Sequence, residues 1–316
     1  MSSVRNARRE ASDVLGGGRV AVVLEPSPPA VNEGPWFADH PLAVEDVEDV
    51  IVVSPLDDAW TVDARKDPAV GRYAREHWIG DLKRLDAVPA TLGSTRRSLT
   101  VLAFSVISPA RHFANGKIGL RWTKGGFGTP FFGNDRQVRV EGSSLVVQDG
   151  DTVDSVPITT LRAAGKFVGV TPGAPTGIEF HDAPAEIDLD ADLEVDAAAL
   201  AFLDDWFGFS TLVLERLHAR AGSPTDTRVQ LWPEHFDAAI ELGDADGGTR
   251  ASYGASPGDA TIPVPYLYVS PWAPQEGEFW SAPFGGAALT LDELHDAPDQ
   301  VAGALTFFER ARSLLS

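Results

Sequence analysis

The sequence predicts an α+β protein: antiparallel sheet meanders covered by helices on one face, in two related halves. Three observations carry this expectation. Hydrophobic residues fill 43% of 316 positions, enough for a sizeable core. Apolar spacing switches along the chain between a helical period and strict alternation. Short glycine turns such as Gly142-Ser143 join alternating runs directly, as a hairpin requires.

The elements follow in order. Residues 1–17 contain Arg5, Arg8 and Arg9 with no apolar run behind them, so they read as a mobile tail and not a secretory signal. Residues 18–316 read as one α+β unit. Val20 to Leu24 is a short strand before a Pro-rich loop, and Val50 to Val53 is a second strand. Asp67-Pro68 is an N-cap followed by proline at the first helical position, opening a helix that carries Tyr73, Trp78 and Leu82. Ser94 is placed to cap the next helix, with Leu99, Leu102, Ala103 and Val106 on one stripe and Pro109 at its end.

From Lys117 the period becomes two. Ile118, Leu120 and Trp122 face one way, and Lys117, Gly119 and Arg121 the other. The stretch KGGFGTPFFGND reads as a flexible loop, or as a lid closing Phe127, Phe131 and Phe132 over a ligand. Gln137–Glu141 and Leu145–Val147 form a hairpin, and a helix is expected from Pro157 through Phe167. Acids then occupy every even position from Glu186 to Asp196, and Asp196 caps a strongly apolar helix that Gly208 is expected to interrupt. Strands follow at Val229 and Leu231, Phe236–Leu242, Arg250–Tyr253 and Tyr266–Val269, and a last helix covers Pro298 to Leu315. Helix plus meander thus occurs twice, over 94–147 and 210–269, each copy carrying a Leu and a Trp in one strand (GLRWT, VQLWP).

Charge and composition narrow the partners. Lys plus Arg total 26 and Asp plus Glu 46, a net charge of −20. That balance disfavours nucleic acid and anionic membrane surfaces. No uncharged helical stretch reaches the ~20 residues of a membrane span, and a cytoplasmic location is the expectation. With no cysteine, disulfides, thiolate metal sites and a cysteine nucleophile are excluded.

Several motifs resemble chemistry and then depart from it. Gly254-Ala255-Ser256-Pro257-Gly258 spells the serine-hydrolase elbow, but Pro257 lacks the N–H that the oxyanion hole needs, and GDATIPVP cannot form the helix that follows such an elbow. Asp188, Asp190 and Asp192 match the first ligands of a calcium loop, but Leu193 and Ala199 stand where glycine and glutamate belong. No cofactor or metal is expected.

The segment LWPEHFDAA is the densest in polar chemistry. As a strand from residue 235 it would put His235 and Asp237 on one face and Phe236, Ala238, Ile240 and Leu242 on the core face. A histidine beside an acid is a candidate general base. The catalytic candidates are therefore His235, Glu234 and Asp237; the ligand-binding candidates are Arg121, Trp232, Tyr253 and Tyr268.

IGLRWTKGGFGTPFFGND, RVQLWPEHFDAAIELG, ASYGASPGD and PYLYVSPW together resemble a family of uncharacterised proteins from GC-rich bacteria, over roughly residues 19 to 315. The resemblance implies a single inherited unit and brings no activity with it. The functional expectation is a small-molecule binding protein with a pocket on the sheet face, its ligand anionic if Arg121 holds it. The alternatives are a hydrolase using His235 with Glu234 or Asp237, and an acidic interaction protein.

Overall fold

The computed structural model describes residues 20–23, 49–52 and 84–316, apart from 124, 131, 133–135, 150–151, 181–182, 185–186, 222–226, 228 and 296. The expected N-terminal tail and the helix after Asp67 lie outside these residues. Strands β1 (Val20–Val23) and β2 (Asp49–Val52) pair in parallel, Val20 opposite Asp49.

The rest is α+β, built on two antiparallel five-stranded meanders. The first comprises β3 (Arg121–Thr123), β4 (Gly126–Gly128), β5 (Arg136–Glu141), β6 (Ser144–Asp149) and β7 (Thr152–Pro157). The second comprises β8 (Gln230–Trp232), β9 (Asp237–Leu242), β10 (Ala251–Ser256), β11 (Tyr266–Pro271) and β12 (Ala287–Thr290). Each meander follows a long helix, and their first strands lie edge to edge. There Leu120 and Leu231 exchange both backbone hydrogen bonds at 2.8 Å.

The helix before the first meander is one continuous rod: α1 (Leu92–Leu102), a π segment (Ala103–Ile107) and α2 (Ser108–Asn115). Two expectations fail here. Thr91, not Ser94, precedes the first turn; its hydroxyl donates to Asp196, and Ser94 Oγ donates to Thr91 O. Pro109 sits inside the rod instead of ending it. Its missing N–H leaves Ser105 O without the usual helical donor, and Gly173 N–H donates to that oxygen at 3.0 Å. Gly116, at φ 77°, ends the helix two turns later.

Within the glycine-rich stretch Gly126–Gly128 forms strand β4, and Phe131 of the expected lid lies outside the described residues. A Cβ on Gly126 would stand 2.4 Å from Val140 O, and one on Gly128 2.4 Å from Arg139 Cβ, so only glycine lets β4 lie this close to β5. Phe127 and Phe132 are buried, which removes them from any lid. Pro157 ends the exposed edge strand β7, and helix α3 (Leu161–Val168) starts after Thr160, whose side chain accepts from Ala163 N–H.

In the acidic connector, Asp188 Oδ1 accepts the N–H groups of Asp190 and Ala191, and Asp190 forms a two-point pair with Arg162. Asp196 then caps α4 (Ala197–Ala221) through the N–H groups of Ala198 and Ala199. The α4 helix is unbroken; Gly208 gives room to the Trp122 ring, 3.3 Å from where a Cβ would be. By length and composition Ala197–His218 could cross a membrane. Here it is the central core helix, with Leu203, Trp206, Phe207, Val213 and Leu214 buried. It packs on β3, β4, β9 and β10, and so covers one face of both meanders. Helices α5 (Leu291–His295) and α6 (Gln300–Leu315) follow the second meander, and α6 packs on α4 and β11.

Candidate functional site

Alternation sorts the second meander into two faces. Ala238, Ile240 and Leu242, Tyr253 and Ala255, and Leu267 and Val269 are buried in the helix-covered core. Asp237, Ala239 and Glu241, Ser252, Gly254 and Ser256, and Tyr266, Tyr268 and Ser270 take the other face, as the ladder register requires.

The entry to that face is the β8–β9 hairpin. Trp232 pairs with Asp237, and residues 233–236 form the turn, closed by Phe236 N–H donating to Trp232 O at 2.7 Å. The strand therefore starts at Asp237 and not at residue 235. Phe236 has φ 54°, a left-handed conformation uncommon for a bulky residue. Its ring is held by edge-on contacts with Phe127 (4.9 Å) and Phe207 (5.3 Å), both in the core. With Phe236 anchored inward, Asp237 points to the opposite face.

Asp237 is 5% exposed. Its Oδ2 accepts the Tyr268 hydroxyl, which reaches it across β10. Gly254 makes that reach possible: a Cβ there would meet Tyr268 Cζ at 2.4 Å, so the phenol ring lies over the glycine. Asp237 Oδ1 is buried and has no hydrogen-bond partner. Burial pushes the Asp237 carboxyl above its ordinary pKa, against the opposing influence of the His235 charge and the Tyr268 hydrogen bond. Burial and the neighbouring Asp237 likewise push the Tyr268 phenol well above its usual range.

A second acid–phenol pair adjoins the first. Tyr266 donates to Asp259 Oδ2 at 2.5 Å, while Asp259 Oδ1 accepts from Thr261 N–H and Ile262 N–H and closes the β10–β11 loop. Burial and Asp259 raise the Tyr266 phenol above its usual range. Arg96, from α1, donates to Pro257 O in the same loop and feels the Asp259 charge. Phe284, 39% exposed, lies against both tyrosines. Ser256 is buried at the end of β10, its Oγ accepting from Gly258 N–H, with no helix behind it.

The sequence candidates distribute as follows. Asp237 and Tyr268 are in direct contact. His235 is exposed and Glu234 half-buried in the turn, so the expected His235–Asp237 pair on one strand face is replaced by a turn residue beside a strand residue. Trp232 is half-buried opposite Asp237. Arg121 is half-buried on β3, its Nε donating to Trp122 O. The antiparallel bridge at Leu120–Leu231 carries Arg121 towards the Gln230 level, away from the turn that holds His235. Tyr253, expected to bind ligand, is instead buried on the core face, edge-on to Phe308 at 5.9 Å, because it alternates with Gly254.

Gly254, Asp259, Tyr266 and Phe284 are not among the binding or catalytic candidates that the sequence singles out. A tyrosine pair at i and i+2 on one strand was the available signal for Tyr266. Among the described residues no group of three or more His, Asp or Glu is arranged to hold a metal ion. No protein-family model, no curated protein and no solved structure matches this chain.

Proposed function

We propose that the protein binds a small molecule on the polar face of the second meander, beside Asp237 and Tyr268. The observation that carries this reading is Asp237 itself: a buried carboxyl with one oxygen held by a phenol and the other without a partner. A buried polar atom left unsatisfied costs roughly 1–3 kcal/mol, and such groups gather where a ligand completes them. Around it stand an aromatic wall and a few fixed polar groups, the usual composition of a ligand site. Trp232 extends this wall along the hairpin.

The acids at the centre favour a ligand that presents donors. An anionic group would have to be held further along the seam, at Arg121. The test is a thermal-shift screen of a small-molecule library against the native protein and Asp237→Asn. Ligands that stabilise the native protein and not the variant support the reading. A library whose hits stabilise both equally would remove Asp237 from the site.

A further inference from the structure

Resting on that reading, we infer that the ligand's recognised group is an organic ammonium, capped by the rings of Tyr266, Tyr268 and Phe284 and held by the carboxylate of Asp237. The three ring centroids form a nearly equilateral triangle, with sides of 6.1, 6.4 and 6.1 Å. A point at the middle of such a triangle is about 3.6 Å from each centroid, so a cation about 3 Å above it stands about 4.7 Å from all three, within ~6 Å of each, and it is attracted by every ring whose face turns towards it. The rings are inclined to one another by 50°, 27° and 77°, so they do not close into a stacked column.

Two of the rings are phenols whose hydroxyls donate to carboxylates, Tyr268 to Asp237 and Tyr266 to Asp259. Donation to an anion enriches the ring electron density that a cation seeks. The charges are unequally compensated. Asp259 has Arg96 and two backbone N–H groups, whereas Asp237 has the Tyr268 hydroxyl on Oδ2 and no partner on Oδ1. A bound ammonium supplies what the Asp237 site lacks. Its charge stabilises the anionic carboxylate that burial disfavours, and its N–H or polarised methyl C–H groups are the donors that the unpartnered oxygen would accept. Phe284, partly exposed in the β11–β12 connection, gives the triangle an outer edge open to solvent.

The experiment is a pair of calorimetric titrations with choline and with 3,3-dimethylbutan-1-ol, which has the same shape with carbon in place of charged nitrogen. Sodium chloride at matched ionic strength is the blank. Choline is expected to bind at least about ten-fold more tightly than the alcohol, a difference that isolates the charge. Asp237→Asn and Phe284→Ala should each weaken choline at least about ten-fold. Because the Phe284 ring is partly exposed, that variant keeps its circular dichroism and tests the site even if Asp237→Asn folds poorly. Equal binding of choline and the alcohol, lost in both variants, would overturn the ammonium class and leave the ligand site standing. Choline binding unchanged in both variants would place the cation elsewhere and overturn the inference. No heat from choline up to about 50 mM, where a millimolar Kd registers, would also overturn it; the library screen judges the site itself independently.

Discussion

Gly254 and Tyr268 make the candidate site possible at the scale of single residues. The phenol crosses a whole strand to reach Asp237, and only a residue without a side chain leaves that path open. Gly254→Ala should therefore displace the ring, costing about 1–3 kcal/mol in denaturant melts, as overpacking does. Ligand-induced stabilisation should fall with it; a stable variant with full ligand response would show that the ring need not lie there. Asp237 also gives a signed pH prediction. Its pKa is raised in the folded state by burial, with His235 and Tyr268 pulling it down and Asp259 pushing it up. A raised carboxyl costs nothing below the unfolded value of ~3.9, and weakens the fold as pH rises through the raised folded value. The stability of Asp237→Asn relative to the native protein should then increase from acid to neutral pH. A difference that is flat or falls with pH would mean the carboxyl is not desolvated.

The β8–β9 hairpin links site to core at the scale of elements. Phe236 accepts a left-handed backbone because its ring fills a three-ring cluster with Phe127 and Phe207, and that choice turns Asp237 outward. Phe236→Ala should cost about 3–5 kcal/mol, a core cavity, while Leu242→Ala further along β9 should cost about 2–4 kcal/mol. A loss near zero for Phe236→Ala would mean the turn holds itself. Alternation made β5, β6, β9, β10 and β11 legible in the sequence, together with the burial of Ile118, Leu120, Phe236, Ile240 and Leu242. Edge strand β7 was not legible because all its residues but the half-buried Val156 are exposed, which leaves no alternating apolar face to read. Strand β4 was missed because its glycines serve a close approach and look like a loop. Pro109 misled for a different reason: the carbonyl it strands is satisfied by Gly173, a partner 68 positions after Ser105 that periodicity cannot see. Of the site, Asp237, Tyr268, Trp232 and the turn residues were legible as polar chemistry, but face assignment separated Tyr253 from them only once register was known.

Among the described residues, the two meanders are joined by the Leu120–Leu231 edge bridge and by α4, which packs on both. The Leu120–Leu231 bridge is short, so α4, packed on both sheets, carries most of the coupling between them. A single buried core runs from Leu85 to Leu315 through both meanders. Unfolding should accordingly be one cooperative transition, with tryptophan fluorescence and far-ultraviolet circular dichroism giving the same midpoint; two separated midpoints would show that the meanders melt independently. The polar face lies on the side of the second meander away from α4, so a ligand there can bind without opening the core. Crystallographic soaking with small fragments tests this most directly. Fragments bearing an amine or hydroxyl should collect over Tyr266, Tyr268 and Phe284, within hydrogen-bonding reach of the Asp237–Tyr268 pair. Fragments that occupy other surfaces and leave this face bare at the same concentrations would contradict it.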